Sequence, residues 1–243
     1  MASSADNVIE KLNSPAEEAY KVLRTNLNFY SLSKAIKTIA VTSYSPNEGK
    51  TTTCINLSIS MAKSGKKVLY VDADLRKPML MKNLKSNDFE GLSNYLSGHA
   101  EIKDIIHSTD TNGFFYVPCG AKPFDPAELL NTERFDALIK AAPQYFDMTI
   151  IDTPPLGSVI DCSIIAAKTD GVLVVIKPNT VKYKNALMAK EQLEKSNARI
   201  LGVVLNGVNQ RDYKDYYSSY DYYGGKKEYV KGWLKNLIGS KRL

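Results

Sequence analysis

The segment 41–52 constrains the fold most, because it reads as a buried strand, a turn and the start of a helix. Residues 36–43 are mostly β-branched or apolar, the turn contains proline, asparagine and glycine, and apolar residues recur at helical spacing after Lys50. Loop N–H groups and a helix N-terminus bind phosphate, lysine adds positive charge, and a threonine hydroxyl can bind Mg²⁺. The segment therefore predicts a nucleotide-binding loop. Its predicted contact residues are Asn47, Glu48, Gly49, Lys50, Thr51 and Thr52.

The match to the phosphate-loop pattern G-x-x-x-x-G-K-[ST] is incomplete, since Tyr44 stands where the pattern has its first glycine. The final Gly-Lys-Thr fits the pattern. A strand, turn and helix that merely contain these three residues are the alternative interpretation. Two further motifs decide between the two interpretations.

The first of these motifs is a buried strand, residues 67–71, that is followed by Asp72 and Asp74. The carboxyl ends of parallel strands line one ligand crevice, so both carboxylates are expected near Lys50. Their alternating spacing places them on opposite faces of a regular strand, and a turn at Ala73 is needed to bring both inward. Capping of the next helix is their alternative role.

The second motif is a short apolar strand, residues 148–151, closed by Asp152. An apolar run that ends in aspartate is typical of a Walker B strand, whose carboxylate holds Mg²⁺ or its waters opposite the phosphate loop. With this motif, the loop and the strand-end aspartates together predict a nucleoside triphosphate site.

The order of elements predicts the fold class. Strands at 171–176 and 200–205 flank a helix at 181–196, and strands and helices alternate throughout the chain. This order predicts one α/β domain, residues 1–211, with a three-layer, doubly wound, mostly parallel sheet. Asn206, at the end of the last strand, is a candidate contact for the adenine edge.

A helix over about residues 14–32 precedes the loop, with serine and proline at its start. On this helix Glu18, Lys21 and Arg24 are spaced three apart and lie along one face. From these residues alone, an ordinary solvated face with a weak ion pair is the favoured interpretation of this row.

The composition changes in residues 212–229, which contain seven of the 15 tyrosines among charged residues, serine and glycine. Tyrosine favours strands, so an aromatic strand is one interpretation. The segment has no apolar partner for such a strand, and a disordered tail with many phenol hydroxyls fits better. Its tyrosines are Tyr213, Tyr216, Tyr217, Tyr220, Tyr222, Tyr223 and Tyr229.

The net charge of +6 is concentrated at the C-terminus, because residues 226–243 contain six basic residues and one acidic residue. The rest of the chain is nearly neutral, so a nucleic-acid-binding face is not expected. In residues 230–243, apolar Val230, Trp233 and Leu237 share one face of a basic amphipathic helix. Such a helix suits an anionic membrane or a protein partner.

Cysteine and histidine chemistry is not expected. Cys54, Cys119 and Cys162 are widely spaced and odd in number, and His99 and His107 have no partner at metal-ligand spacing. The sequence has no run of about 18 apolar residues and no signal-peptide pattern, so a cytoplasmic location is expected.

With these motifs in place, the chain resembles the bacterial tyrosine kinases (BY-kinases) of capsular and exopolysaccharide synthesis over nearly its full length. The family's Walker A motif corresponds to residues 48–52, its Walker A′ motif to residues 71–78 and its Walker B motif to residues 150–155. The A′ motif and the tyrosine tail are the most specific parts. The segment 125–130 also resembles a common family segment.

The resemblance implies a P-loop NTPase domain of the ATPase-like (SIMIBI) class that uses ATP and Mg²⁺. It also implies autophosphorylation in trans on the tyrosine tail, within a ring-shaped homo-oligomer. The ring contact of the family is an E-x-x-R-x-x-R helix, and here Lys21 replaces its first arginine. Lysine keeps the charge but loses the bidentate guanidinium. Glu18, Lys21 and Arg24 are thus the implied oligomer contacts.

The resemblance further implies two associations. The cytoplasmic tail of a polysaccharide co-polymerase-type transmembrane activator would recruit the kinase to the inner face of the membrane. A tyrosine phosphatase would reverse the modification. Residues 230–243 are not a family feature, and they add an expected contact with anionic membrane.

In the mechanism that we expect, Lys50 holds the β- and γ-phosphates, and Thr51, Asp74 and Asp152 organise Mg²⁺. Asp72 accepts the tyrosine proton or orients the hydroxyl, although the roles of Asp72 and Asp74 can be exchanged. Arg76 stabilises phosphate charge or has a structural role. The predicted catalytic residues are Lys50, Asp72, Asp74 and Asp152.

Two rival functions share the nucleotide motifs. A partition- or division-type P-loop ATPase would hydrolyse ATP without a protein substrate, but such proteins have an extra lysine early in the loop, where this chain has Tyr44 and Ser45. They also lack a tyrosine cluster. The second rival is a nucleotide-bound scaffold whose tail only docks partners.

Overall fold

In a computed structural model, the described residues 14–77 and 90–208 form seven strands and eight helices. The strands are β1 (Thr38–Ser43), β2 (Val68–Asp72), β3 (His107–Ser108), β4 (Phe114–Val117), β5 (Met148–Asp152), β6 (Gly171–Ile176) and β7 (Ile200–Leu205). The helices are α1 (Ser14–Ser33), α2 (Lys50–Ala62), α3 (Leu92–Leu96), α4 (Ile102–Ile105), α5 (Pro126–Leu130), α6 (Glu133–Tyr145), α7 (Asp161–Lys168) and α8 (Tyr183–Lys195). The first helix occupies the predicted position.

The seven strands form one sheet in the order β3-β4-β2-β5-β1-β6-β7, and every neighbouring pair is parallel except β3 and β4. The predicted mostly parallel α/β sheet is therefore confirmed. The register pairs Asp152 with Val41 on one side and with Asp72 on the other. The ends of β1, β2 and β5 thus meet at one edge, where the phosphate loop begins.

Two apolar cores, one on each face of the sheet, make the fold three-layered. Ile39 and Val41 of β1 face the core under α1 and α2, whereas Ala40 faces the core under the helices that follow β2. All residues of β1, β2 and β5 are buried, as expected for parallel strands covered on both faces. This burial fixes the positions of the strand ends that carry the site.

The compact unit ends at Asn206, and a second unit begins at Gly207. The tyrosine segment 212–229 and the basic segment 230–243 lie outside the described residues, so the predictions for them stay predictions. None of the helices in residues 14–77 and 90–208 combines the length and apolar character that a membrane crossing requires.

Candidate active site

The phosphate loop, residues 44–49, connects β1 to α2. Gly49 precedes α2 with a left-handed backbone (φ 94°), and a Cβ atom there would lie 1.9 Å from Asn206 Nδ2. Only glycine fits such a position. Asn47 also has a positive φ of 62°, which asparagine tolerates better than most residues. Lys50, the first residue of α2, is buried.

Glu48 and Asn206 hold the loop with their side chains. Glu48 is 1% exposed, and its carboxylate accepts hydrogen bonds from Ser45 N–H (2.8 Å) and Lys177 N–H (3.3 Å). Asn206 Nδ2 donates to the Glu48 carbonyl oxygen at 2.9 Å. Both residues were predicted as nucleotide contacts. Their side chains contact the loop backbone, and local sequence patterns gave no sign of this contact.

Tyr44, at the position of the first loop glycine, packs against the segment that follows β5. Gly157 N–H donates to the Tyr44 carbonyl at 2.9 Å, and a Cβ atom on Gly157 would lie 2.7 Å from that oxygen and 3.0 Å from Tyr44 Cζ. The loop thus has Tyr44 where the pattern has glycine, and the segment that packs against Tyr44 has a glycine, Gly157, at the point of contact. Sequence analysis missed Gly157 because the two segments are far apart in the chain.

Asp152, at the end of β5, is 2% exposed. Its Oδ2 accepts hydrogen bonds from Thr51 Oγ1 (2.5 Å) and from the Tyr70 hydroxyl (3.3 Å). Its Oδ1 is buried and has no hydrogen-bond partner in the part of the chain that the structure describes. Burial raises the pKa of Asp152 to about 6, and the Thr51 hydrogen bond and the Lys50 charge oppose this rise.

The turn that follows β2 places both A′ aspartates at the edge where β5 ends. Ala73 N–H donates to the Asp152 carbonyl (2.9 Å), and Asp74 N–H donates to Asp72 Oδ1 (3.2 Å). Asp72 is 1% exposed, whereas Asp74 is half-buried and accepts a hydrogen bond from Lys77 N–H (3.0 Å). Burial raises the pKa of Asp74, and the Lys77 hydrogen bond and the Lys50 charge oppose the rise.

Arg76 forms a bidentate ion pair with Asp161, the first residue of α7. Arg76 Nε and Nη2 donate to the two Asp161 oxygens at 2.8 and 2.9 Å. The Asp161 side chain is fully buried, while the Arg76 side chain is 40% exposed. These hydrogen bonds raise the pKa of Arg76. Asp161 was not predicted from the sequence. Its local signal is an acidic side chain in the first turn of the helix that follows the Walker B strand.

The residues predicted to form an oligomer contact have different surroundings. Lys21 pairs with Glu18 at 3.0 Å on the exposed surface of α1. Arg24 Nη1 instead donates to the Ser60 carbonyl oxygen (2.5 Å) and lies 3.4 Å from its hydroxyl. Arg24 therefore joins α1 to α2 within one chain, and Glu18 and Lys21 remain on the surface.

The three cysteines are free and buried, and burial raises the pKa of each thiol. Among the described residues, no group of three or more His, Cys, Asp or Glu side chains is arranged to hold a metal ion.

Several known proteins similar to this chain are kinases. The family model described as an AAA domain matches residues 36–196. The tyrosine-protein kinase CpsD of Streptococcus agalactiae is 40% identical over 203 residues, which cover 82% of this chain and 88% of that kinase. The kinase domain of the Escherichia coli tyrosine kinase ETK matches with a TM-score of 0.77 at 34% identity, and the match covers 81% of this chain and 77% of that one.

The division-type rival is less similar. The septum site-determining protein MinD from Pyrococcus horikoshii, solved in complex with Mg-ADP, matches with a TM-score of 0.60 at 25% identity, covering 74% of this chain and 76% of that one. The comparisons therefore favour the kinase over the ATPase switch. The P-loop fold and the kinase relatives also indicate that this chain binds a nucleotide. The chain belongs to the AAA-domain family and, within it, to the bacterial tyrosine-protein kinases represented by CpsD and ETK.

Proposed function

We propose that this kinase transfers the γ-phosphoryl group of ATP to tyrosines in its own segment 212–229, in trans between subunits of a ring-shaped homo-oligomer. The proposal rests on one observation. Lys50, Thr51 and Asp152 lie at one sheet edge together with the carboxylates of Asp72 and Asp74. Seven tyrosines follow this domain in the sequence. Their phosphorylation regulates the synthesis and export of capsular polysaccharide or exopolysaccharide.

The phosphate side of the site fits a nucleotide with Mg²⁺. The Thr51 hydroxyl donates its proton to Asp152, so its oxygen lone pairs remain free for a cation, and Asp152 Oδ1 is buried without a hydrogen-bond partner among the described residues. When bound with ATP, Mg²⁺ neutralises phosphate charge. One or two carboxylates, phosphates and waters are its usual ligands. Lys50 and the loop N–H groups hold the β- and γ-phosphates.

The A′ side receives the tyrosine. A free phenol has a pKa of about 10, so a nearby carboxylate must accept or orient its proton at neutral pH. Asp74 is half-buried, whereas Asp72 is almost fully enclosed. The greater exposure of Asp74 therefore supports a role for Asp74 in meeting the tyrosine and a supporting role for Asp72. These roles are exchanged relative to those expected from the sequence. Arg76 supports this turn through its pair with Asp161.

The proposed organisation divides the chain into a kinase domain (1–211), a tyrosine tail (212–229) and a basic segment (230–243). Glu18 and Lys21 on the exposed face of α1 support the ring contact. The cytoplasmic tail of a transmembrane activator recruits the kinase to the membrane, where the basic segment contacts anionic lipid. A tyrosine phosphatase resets the tail.

The activity is tested by incubating the purified protein with ATP, Mg²⁺ and the cytoplasmic segment of its activator, followed by phosphotyrosine detection. We expect phosphotyrosine to form, and Lys50→Met to abolish it. Replacing the seven tail tyrosines by phenylalanine should remove most of the signal and leave ATP binding intact. ATP hydrolysis without any phosphotyrosine would instead support the ATPase switch, and nucleotide binding without hydrolysis would support the scaffold.

Transfer in trans is tested by mixing two variants, neither of which can phosphorylate its own tail. The Lys50→Met variant has acceptor tyrosines but no catalysis, and the seven-phenylalanine variant has catalysis but no tail acceptors. We expect the mixture to phosphorylate the Lys50→Met chain. If each wild-type chain modifies only itself, the Lys50→Met chain in the mixture will remain unphosphorylated.

A further inference from the structure

Tyr70 makes a polar contact that its place in the core does not require. It is the central residue of β2, its side chain is fully buried, and it belongs to the apolar core under α1 and α2. A phenylalanine would fill the same space without a hydroxyl that needs a partner. The Tyr70 hydroxyl instead lies 3.3 Å from Asp152 Oδ2 and donates a hydrogen bond to it.

We propose that Tyr70 is a positioning residue for Asp152, and that its hydroxyl keeps Oδ1 of this carboxylate available to the Mg²⁺ of the nucleotide complex. The inference rests on the proposed nucleotide and Mg²⁺ site. It assigns a function to a side chain that belongs to none of the three nucleotide motifs.

The two carboxylate oxygens of Asp152 have different hydrogen-bond partners. Oδ2 accepts hydrogen bonds from both Thr51 and Tyr70, whereas Oδ1 is buried without a hydrogen-bond partner among the described residues. Two donors on the same oxygen oppose rotation of the carboxylate, because rotation would break both bonds. Asp152 Oδ1, which accepts no hydrogen bond from the described residues, is therefore the oxygen that a cation can bind.

The two donors differ in how firmly they are placed. Thr51 lies at the start of α2, next to the loop that holds the phosphates, so its contact depends on what the loop binds. Tyr70 lies in a central strand, and the register that pairs Tyr70 with Ile150 also pairs Asp72 with Asp152. Tyr70 therefore stays in contact with Asp152 whether or not Thr51 turns toward a ligand.

The test compares Tyr70→Phe with Tyr116→Phe. Tyr116 is a matched control because it is the cross-strand partner of Tyr70 on β4, is buried and belongs to the same core. The affinity for ADP is measured by calorimetry in Mg²⁺ and again in EDTA. We expect Tyr70→Phe to weaken ADP binding roughly tenfold in Mg²⁺ and not in EDTA. Tyr116→Phe should match the wild type in both.

Three results would overturn the inference. The first is an unchanged Mg²⁺ enhancement of ADP affinity in Tyr70→Phe, whether the affinity is unaltered or is lowered equally in Mg²⁺ and EDTA. The second is a melting temperature of Tyr70→Phe well below that of Tyr116→Phe, since this would give Tyr70 a structural role only. The third is a wild-type protein that binds ADP equally with and without Mg²⁺, which would also remove the proposed metal site.

Discussion

The two sides of the nucleotide edge are held in different ways. On the phosphate side, Asp152 ends a buried strand and two hydroxyl groups donate to it. On the A′ side, Asp74 is half-buried on a turn, which the Arg76–Asp161 ion pair fastens to α7. A fixed carboxylate suits the cation that accompanies the phosphates, and a more open turn suits a tyrosine that must enter and leave. The difference implies that phosphate binding and tyrosine acceptance can be altered separately.

The sharpest test replaces one aspartate on each side. Asp152→Asn should lower the rate of autophosphorylation about 10³-fold and abolish the Mg²⁺ enhancement of ADP binding, because it removes the fixed negative charge. Asp74→Asn should lower the rate while ADP affinity in Mg²⁺ stays at the wild-type value. Rates are measured by phosphotyrosine formation and affinities by calorimetry. Equal loss of ADP affinity in both variants would break the proposed division between the two sides.

Much of this edge could be predicted from local patterns. An apolar run closed by aspartate identifies Asp72 and Asp152 as strand ends, and parallel topology then brings the two ends together. The loop ending in Lys50 and Thr51 was predicted in the same way, since a helix start and a turn are encoded by neighbouring residues.

The residues that sequence analysis missed have contacts that depend on register and packing. Tyr70 reads as one more apolar strand residue until the register places its hydroxyl beside Asp152. Gly157 matters only because Tyr44 packs on it, and Asp161 only because it meets Arg76. None of these pairs has a fixed spacing in the chain, so no local pattern reveals them.

Removal of the ion pair tests whether the A′ turn depends on it. Arg76→Met leaves the buried Asp161 carboxylate without its guanidinium partner. We expect the free energy of unfolding to fall by about 2 kcal/mol, less than for a fully buried pair, because water reaches the exposed part of Arg76. Urea denaturation measures the loss, and Arg76→Lys should recover part of it. Unchanged stability together with weaker ATP binding would make Arg76 a phosphate ligand instead.

On the phosphate side, the close approach of Gly157 to Tyr44 can be tested with a single methyl group. Gly157→Ala places a Cβ atom 2.7 Å from the Tyr44 carbonyl oxygen, so backbone must move. We expect a destabilisation of about 1.5 kcal/mol in urea denaturation. Gly202→Ala on β7 is the matched control, since a Cβ atom there has no neighbour within 4 Å. Equal stability of the two variants would contradict a tight contact at Gly157.

The smallest expected effect concerns Asn206, which has one side-chain hydrogen bond to the loop. Asn206→Ala removes the donor to the Glu48 carbonyl, and a net loss of about 1 kcal/mol corresponds to roughly fivefold weaker ADP binding.

Comparison of ADP with GDP then separates the two roles that Asn206 can have. A residue that braces the loop backbone acts on the phosphates that both nucleotides share, so its loss should weaken ADP and GDP equally. A residue that reads the adenine edge should instead change the ratio of the two affinities. We expect an unchanged ratio, because the Asn206 amide lies against Gly49 and Glu48 of the loop. A lower preference of Asn206→Ala for ADP over GDP would instead support a contact between Asn206 and the adenine edge. It would contradict a role of Asn206 in bracing the phosphate loop.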